Sequence, residues 1–241
     1  TAYSGESNGG TIGSGGASVG TTGFLLPTYS LPEVQVHRDA GDVFIIQATN
    51  TTIRNLSIYA DNNAGIRQDS GTNSLITENL LGVNATGIAS GNIDQGFEIT
   101  GGTSIISSNY ISGNGAAGIL VNGGTSTLIE QNHISNNGTT TCSNNIRLQS
   151  GSGITIQNNL LDNATGVGIN GDGIGGNVSL TNNTITTSGT RAACTDKEGL
   201  LLTGNNSSIT NNIIHTNGST GVAITGTNSG NLISQNSIYN N

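Results

Sequence analysis

The chain has 241 residues, a formal net charge of −8 and a pI of about 4.5, with no basic patch, which excludes nucleic-acid binding through phosphate contacts. Hydrophobic residues make up 32% and aromatic residues 3%, but 38 glycines bring the apolar total to that of a globular domain. No apolar run approaches the ~18 residues of a membrane span.

Met is absent, so residue 1 is not a translation start, and the chain is expected to be a processed form or an excerpt of a larger protein. The Ser/Thr/Asn/Gly-rich, lysine-poor composition suits a secreted or cell-surface protein.

Residues 1–42 carry no repeat. Gly13, Gly15, Gly16, Pro27 and Pro32 mark irregular structure, and short strands are expected at Val34–Val36 and Val43–Ile46. The segment reads as an N-terminal cap, because the end of a stack of strands is an unpaired sheet edge.

From residue 43 to 241 the chain repeats. The first unit holds Ile53, Leu56 and Ile58, with leucine in a slot that asparagine takes in every later unit. Those asparagines are Asn79, Asn109, Asn132, Asn159, Asn183, Asn212 and Asn236, at steps of 30, 23, 27, 24, 29 and 24 residues. An aliphatic residue lies three positions before each, from Ile76 to Ile233, and two after each, from Leu81 to Ile238. Disordered polar tracts hold no such register, so the repeat is read as architecture.

Each unit divides into three short strands. Ile154-Thr155-Ile156 alternates inside and outside, a bend follows at Gln157-Asn158, and Asn159 and Leu161 then point inward. After Asp162–Gly166 a third strand begins at Gly168-Ile169. Its equivalents start at Gly65, Gly96, Gly118, Asn145, Gly199 and Gly221. Period-2 alternation and β-branched side chains make these strands rather than helices. Strands this short, recurring every ~24 residues, form coils that stack at ~4.8 Å per turn. An inward Asn satisfies backbone groups left unpaired at the bend and bonds to the Asn above and below. The glycine before the third strand is expected to supply a positive φ for the corner.

Units such as Thr127–Ser135 (TLIEQNHIS) and Ser207–His215 (SSITNNIIH) resemble the right-handed parallel β-helix repeat. The resemblance covers residues 43–241 and rests on core positions. It implies an all-β, right-handed parallel β-helix of about eight coils. Its families include polysaccharide lyases and hydrolases, epimerases, NosD-like periplasmic proteins and large bacterial surface proteins, so it specifies the fold and leaves the function open.

Coil length alternates, and the extra residues fall between the Asn strand and the third strand, at Ala85–Asp94, Gly138–Asn144 and Ser188–Glu198. Both cysteines, Cys142 and Cys194, lie in these insertions two coils apart, ~10 Å at their bases. Loops bending over the intervening short coil bring them within the ~5.5 Å Cα separation of a disulfide, which suits an oxidising compartment. A metal site on them lacks partners, since His133 and His215 belong to a different strand column. No cofactor and no metal are expected.

Chemistry on such a coil sits on outward residues. The third-strand outward column reads Arg67, Glu98, Leu120, Arg147, Asn170, Leu201 and Ala223. The next reads Asp69, Thr100, Asn122, Gln149, Asp172, Thr203 and Thr225. Arg67 and Glu98 on adjacent coils suggest a surface ion pair. Glu98, Arg147 and Asp172 are the enzyme-like candidates, three charges lining a glycan groove, but no second carboxylate stands beside Glu98 at glycosidase spacing. Asn170–Asn177 lacks the acidic set of a calcium loop and reads as a turn. Position four before the ladder Asn reads Leu75, Ile105, Leu128, Thr155, Ser179, Ser208 and Leu232. It holds no rank of Thr for ice binding, and its apolar members would form a stripe for a partner.

The expected role is an extracellular structural or adhesive rod. It is either a module of a large surface protein or a subunit stacking head-to-tail into a fibre, because the repeat runs to Ile238 without a stop. The alternatives are a polysaccharide-active enzyme, a glycan-binding module and an ice-binding protein. Expected partners are other copies of the chain or glycans.

Overall fold

The computed structural model describes residues 9–60, 62–227 and 229–241; the first eight residues of the expected cap lie outside them. Within the described residues the chain winds as a parallel β-solenoid of about eight coils, each contributing one strand to three sheets. The first sheet stacks eight strands from Thr52–Arg54 to Leu232–Ser234, and the second stacks nine from Val34–Arg38 to Ser237–Tyr239. The third stacks eight from Phe44–Ile46 to Val222–Thr225.

The core follows from the period of two. Ile76, Ile106, Ile129, Ile156, Leu180 and Ile209 stand in register on successive strands of the first sheet and are fully buried. Ile58, Leu81, Ile111, Ile134, Leu161, Ile185 and Ile214 do the same on the second.

The Asn ladder runs unbroken from Asn79 to Asn236 at the corner between these sheets. Asn159 shows the pattern. Its Nδ2 donates to the carbonyls of Ile129 (2.9 Å) and Gln157 (2.9 Å) and to Oδ1 of Asn183 (3.0 Å). Its Oδ1 accepts from the backbone N (2.9 Å) and Nδ2 (3.1 Å) of Asn132. Five positions further on, a second set appears that the sequence reading missed. Asn114 bonds to Asn137 and Asn217 to Asn241, and Asn92 of the first insertion joins the series through Asn114. Ala164 and Ser188 interrupt it. The signal was present as a second Asn spaced five residues after five of the seven ladder positions.

One local expectation is corrected. The left-handed backbone at the corner belongs to the residue just before each ladder Asn: Glu78, Ser108, Gln131, Asn158, Asn182, Asn211 and Gln235 all have φ between 55° and 58°. Asn relieves the steric penalty at three of these. The glycines that open the third strand are not left-handed. They are small because the coils approach closely there: a Cβ on Gly118 would lie 2.7 Å from Nδ2 of Asn137 and 2.8 Å from the carbonyl O of Asn145.

The N-terminal boundary also moves. Val34–Arg38 pairs in parallel with Leu56–Ala60, so the solenoid begins nine residues before residue 43. Ahead of it, residues 9–31 form an antiparallel ribbon, with Thr11–Ile12 against Tyr29–Ser30 and Ser18–Val19 against Phe24–Leu25. This ribbon lies lengthwise on the outer face of the second sheet. Ser14 N–H donates to Nδ1 of His133 (3.0 Å), Tyr29 OH to the carbonyl of Gln131 (2.9 Å) and Gly20 N–H to Oγ1 of Thr184 (3.0 Å). Thr21 N–H reaches the carbonyl of Asn211 (2.8 Å).

The physical reason is an outward column on that sheet, Leu80, Tyr110, His133, Leu160, Thr184 and Ile213, joined by register. Most of it is apolar or aromatic and has to be covered. Val19, Leu26 and Tyr29 cover it and are themselves buried. Gly13, at φ +70°, lets the ribbon sit close, because a Cβ there would lie 2.7 Å from His133 Nδ1 and from the Tyr110 ring.

Candidate functional site

The third sheet turns its outer face to solvent between the insertion loops and the opposite corner. Its outward column is the one read from the sequence: Arg67, Glu98, Leu120, Arg147, Asn170, Leu201 and Ala223 are successive register partners, and Ile45 extends it by one coil. The second column is broken. A register shift after Val121 pairs Asn122 with Ser150, so Gln149 does not follow Asn122.

Arg67 does not pair with Glu98. Its guanidinium is clamped by Asp42 (2.7 Å) and Asp69 (2.8 Å). Asp69 stands two residues on along the same face, and Asp42 is a buried side chain brought alongside by the first coil, so both outcompete Glu98. Asp69 also accepts from Nε2 of Gln47 (3.2 Å) and Oγ1 of Thr100 (3.3 Å). These hydrogen bonds, Arg67's first, hold the Asp69 carboxyl below the ordinary range.

The Glu98 carboxylate has no hydrogen bond among the described residues, and burial pushes it above the ordinary glutamate range. Arg67 opposes that shift, while Asp42, Asp94 and Asp69 add to it. The two carboxyls therefore act on stability with opposite sign. Asp69 stabilises above the unfolded aspartate range, and this is lost as pH falls through its lowered value. Glu98 favours the fold while protonated, and this is lost as pH rises through its raised value. Glu98→Gln is expected to match the parent's melting temperature at about pH 4 and to exceed it at about pH 7. A variant that melts lower than the parent at the higher pH would refute this assignment.

Arg147 lies two coils from Glu98 in the column, with Leu120 between them only 8% exposed. Its Nε is buried and has no hydrogen-bond partner among the described residues. Asp172 does not share the column. It sits in the turn after Ile169–Gly171, its N–H held by Oδ1 of Asn170 (3.0 Å) and its carbonyl accepting from Oγ1 of Thr203 (2.7 Å). The sheet thus aligns Glu98 and Arg147 on one face and leaves Asp172 at its margin.

The insertion loops meet above this edge. Cys142 and Cys194 form a disulfide, Cα to Cα 5.4 Å, bridging over the short coil between them. Thr165 of that coil donates through Oγ1 to the carbonyls of Gly138 (2.8 Å) and Thr141 (3.0 Å), seating one loop beneath the bridge. The apolar positions before the ladder also face outward as one column, with Ile105 exposed and Thr155, Ser179 and Ser208 following.

Stacked parallel coils, an internal Asn ladder and loop-decorated outer faces define a parallel β-helix. The family model described as right handed beta helix region matches residues 41–196, and the chain belongs to that family. Among solved structures it is similar to the crystal structure of pectate lyase Pel9A, with a TM-score of 0.57 and 13% sequence identity. That match covers 82% of this chain and 59% of the lyase, so the chain spans well under two thirds of the lyase's length, and the likeness is one of fold. No curated protein sequence matches the chain.

Proposed function

We propose that the chain works outside the cell as a rigid β-helical rod, a spacer or adhesive module whose loops meet glycans or protein surfaces. The observation that carries this reading is the lengthwise ribbon. In a solenoid each coil holds only its neighbours, whereas here Tyr29 is bonded to Gln131 and Thr21 to both Asn211 and Gln235. Such ties join distant coils and oppose peeling, and a disulfide that staples two loops across a third coil adds to them and suits an oxidising compartment.

Single-molecule pulling between the two ends tests the idea. The expected trace is one cooperative rupture that becomes a series of smaller steps once residues 1–33 are deleted. Stepwise peeling of the intact chain at low force would sink the load-bearing role. Head-to-tail stacking, the fibre form of this reading, is expected to give rods that lengthen with concentration in negative-stain images.

A second reading is favoured by one observation: Arg147, unpartnered, shares a face with Glu98, whose carboxyl is held above its ordinary range. A polysaccharide-active enzyme would use such a face on an acidic glycan, the class of substrate that the name pectate lyase implies for the similar structure. Turnover on a glycan panel, abolished by Glu98→Gln, Arg147→Ala and Asp172→Asn together, would establish it. No turnover on the panel would remove it.

A further inference from the structure

The ribbon does not lie flush on the first coils. Where its base meets the Asn corner, two hollows of about 200 and 490 Å³ open side by side. Both are lined by Ser30, Asn55 and Glu78, so they join into one cleft with the ribbon as one wall and the solenoid as the other. The larger hollow is of the size that small-molecule sites occupy.

The lining has three kinds of group. Thr11, Ser30 and Asn55, with Thr28 and Ser108 in the smaller hollow, are short neutral side chains that donate and accept. Leu31, Pro32 and Val34 give an apolar edge along the larger hollow. Glu33 and Glu78 supply two carboxylates. The side chains of Glu33, Asn55 and Glu78 make no hydrogen bond or ion pair among the described residues, so the fold uses none of them.

We propose that this cleft binds a short amino-sugar oligosaccharide. Hydroxyls match the Thr, Ser and Asn groups, and the ring C–H faces fit the Leu31 and Val34 edge. The ammonium groups meet two carboxylates that have no cation among the described residues, as charge-assisted hydrogen bonds. A chain with 14 acidic and 6 basic residues also draws cations toward it. The same carboxylates repel a uronate, so this cleft and the Arg147 face select opposite charges. A ligand here touches both ribbon and solenoid, and pins the ribbon down when bound.

Calorimetric titration of the full chain at low salt provides the test, with four probes: a glucosamine tetramer, its N-acetylated counterpart, a galacturonate tetramer and tetralysine. The glucosamine tetramer is expected to bind and to slow proteolysis within residues 9–31. The acetylated form is expected to bind about tenfold more weakly, as for loss of a hydrogen bond to a charged group, and the uronate not at all. Glu33→Gln and Glu78→Gln, both at exposed positions, should each weaken the amine sugar by about tenfold with an unchanged circular dichroism spectrum.

The proposal is overturned by absence of binding at millimolar sugar, by parent-like affinity in the double variant, or by equal binding of the uronate. Tetralysine binding as tightly as the sugar would also overturn it, as attraction by charge alone. The readout is a soluble ligand on single chains, so its failure is separable from failure of the rod reading.

Discussion

Asn159→Ala is expected to remove roughly 3–5 kcal/mol of stability, because several buried polar groups lose their partner at once. The Asn132 backbone N–H loses its acceptor, the carbonyls of Ile129 and Gln157 lose a donor, and Oδ1 of Asn183 loses the Nδ2 above it. No water can replace these inside a close-packed coil. Asn236→Ala, at the half-buried last rung, is expected to cost about 1 kcal/mol. Guanidinium unfolding of both variants measures the contrast. Near-equal losses would mean that the ladder is a packing motif and not a hydrogen-bonded column. Leucine is tolerated in this slot where the column starts, since Leu56 stands above Asn79 and only its backbone N–H is needed there, donating to Oδ1 of Asn79 (3.1 Å).

Tyr29→Ala is expected to free the ribbon while leaving the coils folded. Tyr29 is 3% exposed, packs against Tyr110 and His133, and ties the ribbon to Gln131 through its hydroxyl. Truncating a buried aromatic of this size costs about 3–5 kcal/mol, more than a two-stranded ribbon retains on its own. Limited proteolysis should then cut within residues 9–31 well before the solenoid yields. Tyr29→Phe keeps the packing and leaves the Gln131 carbonyl without this donor, for an expected loss of about 1 kcal/mol. A Tyr29→Ala protein as resistant as the parent would show that polar bonds alone hold the ribbon.

The core of the fold was legible because it is periodic. Inward Ile, Leu and Asn obey one spacing through every coil, and the two cysteines were placed by counting from the same asparagines. What escaped was set by contacts across the repeat. The covered column on the second sheet was visible as Leu80, Tyr110, Leu160 and Ile213, each directly after a ladder Asn and so pointing outward. Only the fold shows which segment lies over it, since residues 9–33 carry no register of their own. The Arg67 clamp was missed for a related reason. Asp42 lies before the repeat, so column reasoning paired Arg67 with its neighbour Glu98. The glycines at the third strand were read as supplying backbone handedness, whereas they give room between coils.

His133 shows how tightly the ribbon and the coils are made for each other. It is 4% exposed, and its Nδ1 accepts from Ser14 N–H, which places its proton on Nε2 toward Oδ1 of Asp162 (3.2 Å). An imidazole is thus oriented from both sides, by the ribbon above and by the next coil alongside.

The ribbon also imposes an order of events. It is made before the coils it docks on, and its docking partners extend to Gln235, 214 residues beyond Thr21. Coils can wind progressively as the chain lengthens, each on the one before. The ribbon has to wait for nearly the whole solenoid, and contacts this distant in sequence are the slowest kind to form. Until then Val19, Leu26 and Tyr29 and the strip they cover stay wet and open to other nascent chains. The vulnerable moment comes when the coils are wound and the ribbon that seals them is still loose.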